Sequence, residues 1–297
     1  MERKAYGEVL LAGVLWGTIG LFVKILEIVG ASSDIISLYR VFFTFLVMFT
    51  IVLFKYGLRT LRVPLKTVAL CASLGIVCNG IFNIFYSNAI IYGGVGLSAM
   101  LQNLAPVTTA VLSWMLFKEN MNGKKIAALI INIIGCTLAV MDDSFSLRGA
   151  TVMGIVWGVL AGIFYGLTAI FGKIARDRTD VMVVTTYSFL FATLFLLGWN
   201  LIRGVNVIAT GEIAFWGFLY GLVATSFPYL LYYHALNRIT ETSKVPILSS
   251  IECVVAVIIG VFLFKETVGI VNIIGFILVF VALLLLNNKK PKTVSQS

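Results

Sequence analysis

The most constraining feature of the sequence is a series of apolar stretches, each long enough to cross a lipid bilayer, that recurs from end to end. About 20 apolar residues suffice for such a helix, at about 1.5 Å of rise per residue. Hydrophobic residues make up 60% of the chain and charged residues only 12%, roughly half the charged share of a soluble domain. The stretches lack the alternation typical of membrane-barrel strands. The sequence therefore predicts an all-α polytopic membrane protein.

Ten transmembrane helices are predicted, and short loops join them. The ranges are 7–26, 34–54, 65–86, 94–117, 123–141, 150–172, 180–202, 212–233, 243–264 and 268–287. The polar residues that follow, 288–297, are expected to form a disordered cytoplasmic tail.

The distribution of Lys and Arg indicates the orientation of these helices. Of the 22 basic residues, only Lys24, Arg148, Arg203 and Lys265 fall on one side of the membrane, and Arg40 falls within a helix. The rest lie on the side of both termini. Cytoplasmic loops carry the excess of basic residues, so we expect both termini in the cytoplasm. The short loops favour a prokaryotic plasma membrane. Topology also accounts for the net charge of +9, and no nucleic-acid partner is expected.

The two halves of the chain resemble each other. Trp16-Gly17 in the first helix matches Tyr165-Gly166 in the sixth, and Phe117-Lys118-Glu119 matches Phe264-Lys265-Glu266. Each repeat, 1–142 and 149–287, holds five helices, and this odd number predicts that the second repeat is inverted relative to the first. Inverted repeats around a central cavity are typical of alternating-access transporters. The alternative is a duplication that only builds a stable bundle.

An ordered set of motifs resembles the EamA-type permeases of the drug/metabolite transporter superfamily. It includes Tyr39-Arg40, Pro106-Val107 and the segment SKVPILSSIECVVAVIIGVFLFKE at residues 243–266. The resemblance implies a ten-helix basket around a substrate cavity and the export of small metabolites, amino acids or drugs. Two residues depart from the family pattern: Ala105 stands where an acid is expected, and Cys253 replaces a proline.

Glu252 is the leading candidate for function, because it is an acid in an otherwise apolar predicted helix. A charged carboxylate at mid-bilayer depth costs about 2.5–3.5 kcal/mol on insertion scales. The side chain is therefore protonated, paired or in contact with water. It is a candidate for proton coupling and for binding a cationic part of a substrate. A structural hydrogen bond or a pair with Arg40 is the alternative.

Arg40 lies within the second predicted helix, near its external end. It is a candidate anchor for a substrate carboxylate. We favour a structural role as a counter-charge between helices, because its long side chain can reach outward to the interface.

Uncharged polar and aromatic residues form a second group of substrate-binding candidates. Buried amides and hydroxyls either bridge helices or face a ligand, and aromatic residues either line a cavity or anchor helices at the membrane surface. The group is Asn79, Asn83, Gln102, Asn103, Ser249, Trp16, Tyr165, Tyr229 and Tyr232.

Small-residue ladders predict close helix packing. They comprise Gly13 and Gly17 in the first helix and Gly154, Gly158, Gly162 and Gly166 in the sixth.

Other function classes are disfavoured by what the sequence lacks. With one His and no cluster of nucleophiles or metal ligands, we expect neither an enzyme nor a bound metal or cofactor. The four cysteines lie in apolar stretches and are predicted core residues. No charge ring or filter pattern indicates a channel. The expected partners are a small-molecule substrate, the lipid bilayer and protons. Metabolites or amino acids compete with drugs or organic cations as substrate, and both a monomer and a homodimer stay open.

Overall fold

The computed structural model of the chain describes residues 2–118, 121–139, 141, 143–144, 152–176, 180–208, 210–236, 238, 249 and 251–287. All regular secondary structure in these ranges is helical, without strands. Among the described residues, seven helical segments are long and apolar enough to cross a membrane, and Ile251–Phe264 and Ile270–Leu285 are shorter apolar helices. The chain is therefore a polytopic helical membrane protein. The predicted tail at 288–297 and Glu119 lie outside the described residues.

The helices are bounded as follows: α1 Glu2–Gly17, α2 Ile19–Ile28, α3 Ser33–Ile51, α4 Leu65–Ser73, α5 Phe82–Gly93, α6 Val95–Gln102, α7 Ala105–Phe117, α8 Gly123–Ala139, α9 Val152–Arg176, α10 Val181–Ile202, α11 Gly211–Gly221, α12 Phe227–Leu236, α13 Ile251–Phe264 and α14 Ile270–Asn287. Three π-helical segments, Val52–Tyr56, Leu74–Ile81 and Leu222–Ser226, continue or join them, and Leu58–Leu61 is a 3-10 turn.

Several predicted helices are interrupted within the membrane. Thr18 separates α1 from α2, and its Oγ1 donates to the carbonyl of Leu15 at 2.6 Å. Asn103 and Leu104 separate α6 from α7, where Pro106 occupies the first turn of the new helix. Proline suits that place because its missing N–H would have no partner in a first turn. Hydropathy predicts a single helix at each of these places, because the residues on both sides of each break are apolar.

The helix ends gather at two faces. We call the face near Glu2 and residues 57–64 the terminus face, where the Tyr187 hydroxyl donates to Leu61 O at 2.9 Å. We call the opposite face, with residues 29–32 and 203–208, the far face. There Asp34 pairs with Arg203 at 2.8 Å.

The main apolar core lies towards the far face. Leu26, Ile36, Ile90 and Val95 are each at most 1% exposed and belong to one cluster, and all four lie near helix ends at that face. The clusters nearer the terminus face are smaller. The far half of the molecule is therefore tightly packed.

Glycines bring α1 and α9 into close contact with other helices. A β-carbon on Gly17 would lie 2.8 Å from the carbonyl oxygen of Glu252, and one on Gly166 would lie 2.7 Å from that of Ala105. Gly13 and Gly162 sit likewise against backbone carbonyls of Ser249 and Leu101, and Gly154 and Gly158 pack against Gly93 and Leu101. Larger side chains at these glycines would separate the helices.

The helices α8 and α14 run antiparallel along each other. Gly135 in the last part of α8 meets Gly275 in the first part of α14, where a β-carbon on Gly135 would lie 2.9 Å from Gly275 O. At one end, Asn272 Nδ2 donates to Ala139 O at 3.1 Å. The C-terminal end of α8 thus meets the N-terminal end of α14.

Candidate functional site

A cavity of about 610 Å³ lies among the helices. It extends from Glu252 along α7 to Ser113 and Lys125, which lie near the terminus face. All eleven side chains that the sequence analysis named as substrate-binding candidates line it: Trp16, Arg40, Asn79, Asn83, Gln102, Asn103, Tyr165, Tyr229, Tyr232, Ser249 and Glu252. Residues far apart in sequence therefore share one site.

The carboxylate of Glu252 is half-buried on the first turn of α13. The side chains of Gln102 and Arg40 are near enough to act on it electrostatically. Among the described residues it forms no ion pair. The acid thus faces the cavity with only partial compensation of its charge.

Arg40 is held inside the protein by neutral partners. Its side chain is 6% exposed; Nη1 donates to Asn83 Oδ1 at 2.7 Å and Nε to Thr225 Oγ1 at 3.1 Å. The guanidinium also lies over the ring of Tyr220, 5.0 Å from its centroid, a favourable cation–π arrangement. The side chain does not extend outward to the interface, because partners from distant helices hold it beside the cavity.

The cavity amides differ in how fully they are bonded. Asn83 accepts from Arg40 and donates to Asn79 O at 2.5 Å. Asn103 Nδ2 donates to Ala99 O and lies 2.8 Å from Cys253 Sγ. Gln102 is 7% exposed, and its Oε1 has no hydrogen-bond partner. Gln102 therefore presents an unused acceptor.

Aromatic rings form one wall of the cavity. Trp16 meets Tyr229 at 5.5 Å and Tyr232 at 5.4 Å between ring centroids. Tyr165 stacks on Phe82 at 5.3 Å. These are favourable aromatic separations, and the tilted rings leave faces and edges towards the cavity. The rings brought together come from both ends of the sequence.

Some lining residues were missed by the sequence analysis, notably Phe82, Thr109 and Ser113. Pro106, Thr109 and Ser113 recur in α7 at intervals of three and four, so they share one helical face. That spacing was a usable signal for the two hydroxyl residues. Phe82 carried none, because an apolar residue in an apolar helix does not stand out.

The cysteines divide between core and cavity. Cys71, Cys78 and Cys136 are buried, as predicted for core residues, whereas Cys253 is only half-buried. Cys78 and Cys253 also line the cavity. In the described part of the chain, no group of three or more His, Cys, Asp or Glu residues is arranged to hold a metal ion.

The EamA-like transporter family pattern matches this sequence twice, over residues 4–141 and 152–288. The chain belongs to the EamA-like transporter family. The resemblance inferred from the motifs is thus confirmed, and the protein is a membrane transporter. The family and its named relatives are transporters, which favours a non-enzymatic role.

Relatives of this family member occur in archaea and bacteria. An uncharacterized transporter of Archaeoglobus fulgidus is 28% identical over 94% of this chain and 96% of its own length. Uncharacterized transporters of Bacillus subtilis and Helicobacter pylori are 23% and 26% identical. They match 80% and 77% of this chain, and 79% and 76% of their own lengths.

A solved crystal structure shares the fold. It aligns with a TM-score of 0.66 at 16% identity and covers 95% of this chain and 96% of that one. The likeness therefore extends over the whole architecture.

Proposed function

We propose that this protein is a secondary transporter that exports small metabolites or amino acids across the plasma membrane by alternating access. The observation that carries the proposal is the shared cavity, where Glu252, Arg40, amides and aromatic rings from distant helices meet. Its volume, about 610 Å³, is within the range typical of small-molecule sites. A membrane transporter with such a site has both a place to bind a substrate and helices to open it.

We propose ten transmembrane helices in two inverted repeats, residues 1–142 and 149–287. Support comes from reciprocal contacts: Gly17 packs on the Glu252 carbonyl, and Gly166 packs on the Ala105 carbonyl, at matching places in the predicted repeats. The antiparallel pair α8 and α14 also fits, because each is the last helix of its repeat.

The matched Phe-Lys-Glu motifs give further support for the repeat. Lys118 and Lys265 adopt left-handed backbone conformations, with φ of 52° and 54°. Both follow the last residue of a helix, where this conformation is a common terminator. Two equivalent lysines thus end two equivalent helices in the same way.

The structure corresponds to one of two proposed states. The cavity extends to Lys125 near the terminus face, whereas the far face is closed by the main apolar cluster. Exchange of the two repeat conformations would close the first route and open the second. In the proposed orientation, with both termini cytoplasmic, the observed state faces the cytoplasm and is ready to load an export substrate.

Glu252 is the proposed site for a proton or a cationic substrate group. Its matching residue in the other repeat, Ala105, is apolar, so the helix position itself does not require an acid. A second candidate function is the exchange of drugs or organic cations for protons. The aromatic wall of Trp16, Tyr229 and Tyr232 favours it, because aromatic faces attract cations.

The test begins with metabolite profiles of cells with and without the protein, followed by counterflow of the accumulated compounds in proteoliposomes. We expect counterflow by the wild type and at least a tenfold lower rate for Glu252→Gln, which keeps the shape and removes the charge. Glu212→Gln is the matched control, because Glu212 is exposed in the first turn of α11. Equal rates for wild type and Glu252→Gln would remove Glu252 from the mechanism, and no counterflow of any compound would contradict transport.

A further inference from the structure

Two cavity-lining residues carry a buried side-chain oxygen without a hydrogen-bond partner, Gln102 at Oε1 and Thr168 at Oγ1, and only the Gln102 oxygen is purely an acceptor. Gln102 lines the cavity with its side chain 7% exposed, and this oxygen has no hydrogen-bond partner. A buried acceptor without a donor destabilises the folded protein. Because most buried polar atoms in native proteins have a partner, this oxygen is a candidate ligand contact.

The surroundings of Gln102 define what that partner must supply. Gln102 and Glu252 line the same cavity, and the Gln102 side chain is close enough to act on the Glu252 carboxylate, so the orphan oxygen and the carboxylate are two acceptors on neighbouring side chains. A ligand that serves both must donate hydrogen bonds and carry positive charge. Protonated amines combine these properties.

Neighbouring groups do not fill the same role. Arg40 donates hydrogen bonds to Asn83 and Thr225. Because its guanidinium is a cation without an acceptor atom, it cannot accept a hydrogen bond from a ligand. Asn103 donates hydrogen bonds through Nδ2 to Ala99 O in α6 and to Cys253 Sγ. Gln102 is thus the cavity amide with a buried, unused acceptor.

We propose that Gln102 Oε1 and the Glu252 carboxylate form a subsite for an ammonium group that carries N–H donors. This inference rests on the proposed transport function and narrows its substrate to protonated amines, including those of amino acids. The aromatic wall and the carboxylate attract any organic cation. Only a cation with N–H groups can also donate a hydrogen bond to Gln102 Oε1. Gln102 therefore sets the preference for primary over quaternary ammonium ions.

The test compares two cations of equal charge and the same aromatic group. Phenethylammonium and phenethyltrimethylammonium are titrated into the purified full-length protein by isothermal titration calorimetry. We expect the wild type to bind phenethylammonium at least tenfold more tightly. Gln102→Leu should reduce that preference to less than threefold, through weaker binding of the primary ammonium ion. Gln102→Met, an apolar side chain of similar length, provides a second variant with the same expected result.

Asn88→Ala is the matched control. Asn88 is a half-buried amide that donates to Ile84 O at 2.7 Å within its own helix and is not among the cavity-lining residues, so its loss should leave the preference unchanged. Equal or tighter binding of the quaternary ion, no binding of the primary ion, or a preference that survives both Gln102 variants overturns the subsite. Transport itself is judged separately, by counterflow of compounds found in the metabolite comparison.

Discussion

Gly17 lies against the backbone carbonyl of Glu252, so closely that a β-carbon on the glycine would come within 2.8 Å of the oxygen. The backbone of the candidate acid is therefore positioned by the first helix. Gly166 makes the corresponding contact with Ala105 at 2.7 Å. The two contacts place α1 and α9 directly against the segments that line the cavity.

The first prediction concerns these glycines. Gly17→Ala and Gly166→Ala should each lower the free energy of unfolding by about 1–3 kcal/mol, because the added methyl overpacks a closed interface. Gly198→Ala is the control, since its β-carbon would meet nothing within 4 Å. The control should raise stability by about 0.4–1 kcal/mol. Denaturant unfolding in detergent measures the free energy of unfolding of all three variants. A Gly17→Ala variant as stable as the wild type would contradict the close contact.

The second prediction concerns Arg40. Lysine keeps the charge but lacks the planar fork that serves two acceptors at fixed angles. Arg40→Lys should therefore lower the free energy of unfolding by about 1.5–3 kcal/mol, as measured by denaturant unfolding in detergent. Arg203→Lys, in a half-exposed pair with Asp34, should cost less than about 1 kcal/mol. Equal effects of the two substitutions would show that the buried network around Arg40 is not important.

The third prediction concerns the closure of the far face. Glu266 Oε1 and Oε2 accept hydrogen bonds from the backbone N–H groups of Val95 and Gly96 at 2.5 and 2.9 Å, which caps α6 from the end of α13. Glu266→Ala should cost about 0.5–2 kcal/mol, the value of a helix cap. Hydrogen exchange should then be faster at Val95 and Gly96.

The control for Glu266→Ala is Glu27→Ala, which removes a partly exposed pair with Lys24 at the same face. This variant should leave exchange at Val95 and Gly96 unchanged. If Glu266→Ala has no effect on exchange either, the capping contact does not hold the far face closed.

The fourth prediction concerns orientation. With the native cysteines replaced by alanine, Asn206→Cys at the far face should react with a membrane-impermeant maleimide in intact cells. Lys124→Cys at the terminus face should react only after permeabilisation. The excess of basic residues on the terminus side is the physical reason. The reverse labelling pattern would contradict cytoplasmic termini.

Much of the fold was readable from the sequence because membrane insertion leaves a strong local signal. Spans such as α10, predicted at 180–202 and found at Val181–Ile202, follow from hydropathy alone. The breaks at Thr18 and Asn103 were not predicted, because both sides of each break are equally apolar. The π-helical segment Leu74–Ile81 was missed for the same reason.

The site was predictable by residue type and less so by arrangement. Polar side chains in apolar helices, such as Glu252 and Asn79, stand out in the sequence, and they do line the cavity. The sequence did not reveal that Asn83 and Thr225 hold Arg40, since they lie 43 and 185 residues away. Nor did it distinguish the bonded amide of Asn83 from the unpaired oxygen of Gln102, which depends on packing between helices.

The central claim is that one cavity opens alternately to the two faces. Its most direct test is the measurement of spin-label distances by double electron–electron resonance in lipid nanodiscs. One pair joins Ile28 and Ile208 at the far face, and the other joins Lys124 and Ile174 near the terminus face. The account predicts two populations, in which the far-face distance lengthens as the terminus-face distance shortens, with a balance that shifts on addition of a compound active in counterflow. A single fixed distance for both pairs, with and without that compound, would contradict it.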